Sequence, residues 1–231
     1  MENRGAGAWH LMKRKKTLVS LLLKWYEKNG RDYIWRRQTD PYEILMAEIM
    51  LQRTKADQVE PVYLDFIKRF SDVEKLNQAT EQEVKEYFSR LGLLWRSRLV
   101  KRLACELADR FGGMVPDSRD VLLSLPAVGE YIADAVLSFA YGKDVAVVDV
   151  NVCRVIARVF GMKSRGEARR DIKFRKVANE ILPIGRAKEF NWAIIDFAAL
   201  VCTPRNPKCD NCPINEFCFY YQQLRTENKE E

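Results

Sequence analysis

The sequence predicts an all-α fold, and three observations predict it. Apolar residues recur at helical spacing along almost the whole chain, alternating runs of strand type are scarce, and capping residues stand where helical patterns begin. Residues 17–26 form an amphipathic helix that gives way to the turn-rich Asn29-Gly30-Arg31-Asp32. In Asp40-Pro41-Tyr42-Glu43 an aspartate supplies the N-cap, proline takes the first helical position and glutamate follows three after the cap, so a helix runs to about Leu51. Helices follow over residues 55–70 and 81–91, the latter behind a Thr80/Glu83 capping box, then over 95–111 and 118–123. A later set covers 129–141, 151–160, 168–181 and 189–201. Residues 145–148 are the one run with strand character, but four residues behind a helix read better as a buried connector. The charged ends, 1–13 and 225–231, are expected to be disordered.

Composition narrows the function classes. At 231 residues and 47% hydrophobic content the chain can bury one large core or two smaller ones. A net charge of +7 favours polyanionic partners, although a solvated basic surface explains the same number. Apolar runs such as 44–51 are too short to span a bilayer, so a soluble, intracellular, cytoplasmic and nucleoid-associated protein is expected. The single histidine, His10, excludes histidine-based triads and leaves acid–base chemistry to carboxylates, Tyr, Lys or Cys.

Three motifs carry chemistry. Cys202, Cys209, Cys212 and Cys218 are spaced C-x6-C-x2-C-x5-C, and four thiolates so gathered can close around iron–sulfur or zinc. No apolar signal core opens the chain, so disulfides are the weaker reading. Zinc sites usually pair short C-x2-C knuckles and only the middle interval here is short, so spacing leans toward [4Fe-4S] and leaves zinc open. The run Leu125-Pro126-Ala127-Val128-Gly129-Glu130-Tyr131 joins two short helices and leaves N–H groups exposed where the second begins, a place suited to phosphate; taken alone it also fits an ordinary turn. Asp149 sits among apolar residues just before a helix, where a carboxylate is a cap or has a task.

Together, and in this order, the hairpin, the following aspartate and the cysteine tail resemble the helix-hairpin-helix DNA glycosylases of the endonuclease III and adenine-mismatch branch, over about residues 16–221. The resemblance implies a two-lobed all-α fold: a helical-barrel lobe over 41–143 containing the hairpin, and a second lobe from 14–40 plus 144–224 holding a [4Fe-4S] cluster. It also implies a monomer acting on double-stranded DNA that carries a mismatched or deaminated base, and no membrane. The nucleotide is rotated out of the duplex and its N-glycosidic bond broken, with a carboxylate stabilising the positive charge that develops on the sugar. Asp149 matches that carboxylate.

Tyr131 decides the subtype. Bifunctional relatives carry lysine at the matching position, whose amine forms a Schiff base, and tyrosine cannot. Adenine-mismatch enzymes usually carry serine there, and thymine-mismatch enzymes of the MIG type carry tyrosine. Lys143 is a surrogate amine only from a surface-like turn. Glu48, on an apolar helix, could hold a proton for the leaving base or make a structural hydrogen bond. Gln52 and Arg53 match the stretch that fills the gap left by the flipped nucleotide, and Leu93 or Leu94 supplies a second wedge. Val128 and Gly129 of the hairpin, with Asn151 and Arg154 on the turn after Asp149, are the expected phosphate contacts. Ala127 departs from the usual Gly-Val-Gly hairpin, and alanine resists positive φ. Cys105 and Cys153 read as packed core residues.

The reading is a monofunctional glycosylase removing thymine or uracil opposite guanine. The alternatives are an adenine-mismatch enzyme, opposed by Tyr131 and by the end of the chain soon after the cluster, an endonuclease III-like lyase, and a non-catalytic DNA-binding iron–sulfur protein. A ferredoxin-type electron carrier would explain neither the hairpin nor Asp149.

Overall fold

Side chains that take up the orphan N–H groups of a first helical turn decide where most of these helices start. In the computed structural model of the protein, which describes residues 3–164 and 166–227 and side chains from residue 14 onward, every regular element is helical. The chain divides into two compact units, one made of Met1–Arg31 with Asp144–Glu231 and the other of Asp32–Lys143. No helix among the described residues is long and apolar enough to cross a membrane.

The discontinuous unit opens with α1, Asn3–Asn29, which starts well before the expected residue 17. Residues 8–16 are mostly good helix formers without proline, so the helix extends back through the stretch expected to be disordered. Met1, Glu2 and 228–231, also expected to be disordered, lie outside the described residues.

The continuous unit begins at Asp32 rather than at the expected residue 41. The intervening segment packs within this unit: Trp35 is buried, stacks on Tyr33 and meets Tyr63 edge-on. Helix α2, Pro41–Leu51, is capped by Asp40, whose Oδ1 accepts from the N–H groups of Tyr42 and Glu43 at 2.7 and 3.3 Å. All seven residues from Ile44 to Met50 are buried, so α2 is a central helix without a solvent face. Around it come α3 (Ala56–Arg69), α4 (Val73–Gln78), α5 (Glu81–Arg90), α6 (Arg96–Phe111), α7 (Arg119–Ser124) and α8 (Glu130–Phe139). The Thr80/Glu83 capping box opens α5 as expected, its two backbone bonds at 2.8 and 3.2 Å. Helix α4 was not foreseen; Asp72 caps it by accepting from Lys75 N–H at 2.8 Å, but six residues are too few to show a period. Cys105 is exposed, not core, because the buried face of α6 runs through residues 96, 97, 100, 103, 104 and 107.

The chain then returns to the first unit with α9 (Val150–Phe160), α10 (Ile172–Ile181), α11 (Ala187–Leu200) and α12 (Phe219–Glu227). The expected helix 168–181 is divided because Asp171 caps α10, accepting from Lys173 N–H at 3.0 Å. Leu18 and Leu22 of α1 join Val155, Ile156, Phe190 and Phe197 in this unit's core, and Cys153 lies there too, its thiol pushed up to about 11 by burial. Residues 145–148 form no strand: Asn191 takes over their backbone bonding, accepting from Val147 N–H at 3.1 Å and donating to the Val145 carbonyl at 2.8 Å. At the end of α1, Arg31 pairs with the fully buried Asp196 at 2.7 Å, and its backbone N–H adds a bond at 2.8 Å. Asp196→Asn removes the negative charge paired with this guanidinium, so we expect a loss of about 3 kcal/mol, measured by denaturant unfolding.

Candidate functional site

Asp149 is the N-cap of α9. Its Oδ1 accepts from the N–H groups of Asn151 and Val152 at 2.9 and 2.8 Å, and its Oδ2 from Asn151 Nδ2 at 2.6 Å. Three donors therefore hold a half-exposed carboxylate in one orientation, the arrangement needed to present negative charge to a developing cation.

The next links run away from solvent. Asn151 Oδ1 accepts from Arg154 Nη1 at 3.0 Å, while Arg154 Nε and Nη2 donate to the carbonyls of Cys202 and Ala198, both at 2.9 Å. Arg154, expected at a phosphate, thus turns each of its three nitrogens inward and connects the neighbour of Asp149 to the first of the four cysteines. One turn further on, Arg158 donates to Cys202 Sγ at 3.4 Å and to the Thr203 carbonyl at 2.7 Å, with Tyr220 against its other face. Sequence reasoning missed Arg158. The available signal was an arginine pair four apart on an amphipathic helix, placed to follow one face.

Cys202, Cys209, Cys212 and Cys218 line a single cavity, together with Arg158 and Ile214. Among the described residues no three His, Cys, Asp or Glu side chains converge tightly enough to grip one metal ion; the four thiols surround a shared space instead. Burial pushes the Cys212 thiol up to about 12 and raises Cys209 and Cys218 as well. Thiolates at these positions therefore need a cation core to hold their charge, and loading such a core releases protons. The donor set and the nearby Arg158 guanidinium fit a polynuclear iron–sulfur group.

In the other unit, α7 and α8 flank the hairpin. Gly129 is exposed and caps α8 with no side-chain bond, while Val128 is buried at the turn. Ala127 adopts φ +64°, so the hairpin keeps its left-handed turn with a residue that resists it. Ala127→Gly should relieve that strain and stabilise the fold by about 1 kcal/mol, read as a raised thermal midpoint. Tyr131 lies in the first turn of α8, half-buried. Lys143 is partly exposed and pairs with Asp117 at 3.0 Å.

Glu48 is 5% exposed on α2. Gln52 caps the end of α2 and Arg53 follows, exposed, at φ +63°. Of the two expected wedge residues, Leu93 is 6% exposed and belongs to the core, its N–H bonded to the Phe88 carbonyl at 2.8 Å. Leu94 and Trp95 are instead 49% and 61% exposed, so the projecting pair sits one residue later. A large aromatic directly after the glycine–leucine turn was the signal overlooked.

A family model described as HhH-GPD superfamily base excision DNA repair protein matches residues 46–180, and one described as the iron-sulfur binding domain of endonuclease III matches residues 202–218. The chain is similar to a thymine/uracil-DNA glycosylase of Methanothermobacter thermautotrophicus, with 35% identity over 93% of this chain and 97% of that one. A thymine/uracil-DNA glycosylase of Pyrobaculum aerophilum is 40% identical over 87% and 90%. Among solved structures, a thermostable thymine-DNA glycosylase superposes with a TM-score of 0.87 at 35% identity, covering 91% of this chain and 98% of its own.

Proposed function

Because the chain belongs to the HhH-GPD superfamily of base excision DNA repair proteins, we propose that it is a monofunctional DNA glycosylase that removes thymine or uracil mispaired with guanine, acting as a monomer on double-stranded DNA. The observation that carries the base preference is 35–40% identity, over nearly the whole chain, to relatives named for thymine and uracil. Tyr131 carries the monofunctional part: a phenol on the first turn of α8 cannot condense with the sugar to an imine.

In this reading the target nucleotide leaves the stack, and the positive end of the α8 dipole at Gly129 faces a backbone phosphate. Gln52, Arg53, Leu94 and Trp95 fill the space it vacates. As the C1′–N bond breaks, its electron pair leaves with the base and positive charge appears on the sugar, where the fixed Asp149 carboxylate offsets it. Water adds to C1′ and gives up a proton to Asp149. Glu48, buried on α2, supplies a proton to the departing base. Cys202, Cys209, Cys212 and Cys218 would hold a [4Fe-4S] cluster, which supplies iron–thiolate bonds that tie residues 202–218 together.

End-labelled duplexes carrying T:G, U:G, A:G or A:8-oxoguanine, sized with and without alkali, test the proposal. Strand breaks at T:G and U:G that need alkali are expected. Loss of adenine instead would overturn the base preference, and breaks without alkali would overturn the argument from Tyr131.

A further inference from the structure

Arg96 is the first residue of α6 and only 4% exposed, yet among the described residues no carboxylate pairs with it. Its acceptors are neutral. Nη1 donates to the Ile49 carbonyl at 2.5 Å, and the guanidinium lies 5.0 Å from the Trp95 ring centroid. Nε is buried with no hydrogen-bond partner among the described residues. Burial, and then the nearby positive charge of Arg53, lower its pKa from the usual arginine value. A buried cation so placed is costly, and a leucine or methionine would fill the same space without that cost.

What the guanidinium touches explains its presence. Ile49 lies in the last turn of α2, whose final four carbonyls have no partner within the helix. Directly beyond it the chain makes the Gln52-Arg53-Thr54 turn, with Arg53 in the left-handed region that side chains avoid and Thr54 N–H bonded back to the Leu51 carbonyl at 3.3 Å. On its other side Arg96 continues directly from the exposed Leu94 and Trp95. One buried side chain therefore joins two segments of this unit that carry exposed side chains, Arg53 on one and Leu94 with Trp95 on the other.

We propose that Arg96 is a positioning residue for base extrusion: by tying the Ile49 carbonyl to the turn that carries Leu94 and Trp95, it holds Gln52-Arg53 and Leu94-Trp95 as one rigid wedge that enters the duplex as the target nucleotide turns out. This rests on the glycosylase reading given above. Without the tie, the α2 exit and the α6 entry move independently, and the energy of insertion goes into ordering them instead of opening the stack.

The test uses the full-length, cluster-loaded protein and its Arg96→Met and Arg96→Lys variants. Two substrates carry 2-aminopurine beside the target thymine, whose fluorescence rises as stacking is lost. One is a T:G duplex and the other holds the same thymine in a short unpaired bubble. In the duplex, Arg96→Met should slow the fluorescence rise and single-turnover base release together by about tenfold or more. In the bubble, where opening needs no wedge, both should stay within about twofold of the unaltered protein. Arg96→Lys keeps one donor for the Ile49 carbonyl and should fall between the two; it carries the same comparison if Arg96→Met does not fold. Equal fractional losses on both substrates would mean a general structural role and overturn the proposal, as would no loss on the duplex. Failure of the unaltered protein to release the base from either substrate would sink the glycosylase reading instead, while the fluorescence comparison still reports on Arg96.

Discussion

Asp149→Asn should lower the single-turnover rate of base release by about 10²- to 10⁴-fold while leaving the thermal midpoint nearly unchanged. The two halves of this expectation have separate physical origins. Asparagine is as good an N-cap as aspartate, and its amide oxygen can still accept from the Asn151 and Val152 N–H groups, so α9 keeps its start. The amide carries no negative charge, so nothing offsets the cation forming on the sugar and nothing takes the proton from water. The bond from Asn151 Nδ2 to Oδ2 must be given up or reversed by an amide flip, which limits the expected stability loss to about 1 kcal/mol. Single-turnover kinetics on a T:G duplex beside a melting curve separates the effects. An unchanged rate would reduce Asp149 to a cap, and a lost fold would make it a cap first and a catalyst second.

The second large effect is expected at the cysteines. Replacing Cys212 with alanine should take iron from about four atoms per chain toward zero and destabilise the protein by at least about 4 kcal/mol. Residues 202–218 contain no α-helix, only the 3-10 turn Asn215–Phe217 and short turns such as the one Cys212 N–H closes on the Cys209 carbonyl at 3.2 Å, so tight turns alone hold them once the thiolates lose their partner. The damage should spread along named contacts: Arg154 and Arg158 of α9 bond the carbonyls of Cys202 and Thr203, and the first of them also holds Asn151 beside Asp149. Iron analysis and limited proteolysis of residues 202–227 read this directly. Full iron content in the Cys212→Ala protein would remove Cys212 from the ligand set.

Much of the fold was legible in the sequence because its signals are local. Asp40 with Pro41, Thr80 with Glu83, and Asp149 each satisfy N–H groups two or three residues away, so cap and helix are written side by side. Where the local signal was weak, the reading failed. Helix α4 is too short for a period, the long extension of α1 rests on helix propensity, Cys105 is exposed where a core position is expected, and of Leu93 and Leu94 the second is the one that projects. At Cys105 the face of α6 that turns inward is set by what packs on it, and helical spacing alone allows more than one answer.

By itself, the sequence determined the all-helical class, most helix starts, the four-cysteine motif and the order of hairpin, aspartate and cysteines. The helix starts depend on residues within one turn of each other, where chain geometry fixes the neighbours, and the motifs and their order are read directly along the chain. Only the tertiary structure decided that Arg154 turns to Cys202, that Arg96 meets Ile49, that Arg31 closes on Asp196 and that Asn191 serves the backbone of residues 145–148. These partners lie far apart along the chain, and a donor's distant acceptor leaves no spacing to read. It is chosen when packing excludes water and every buried polar group must find whichever partner the fold brings within reach.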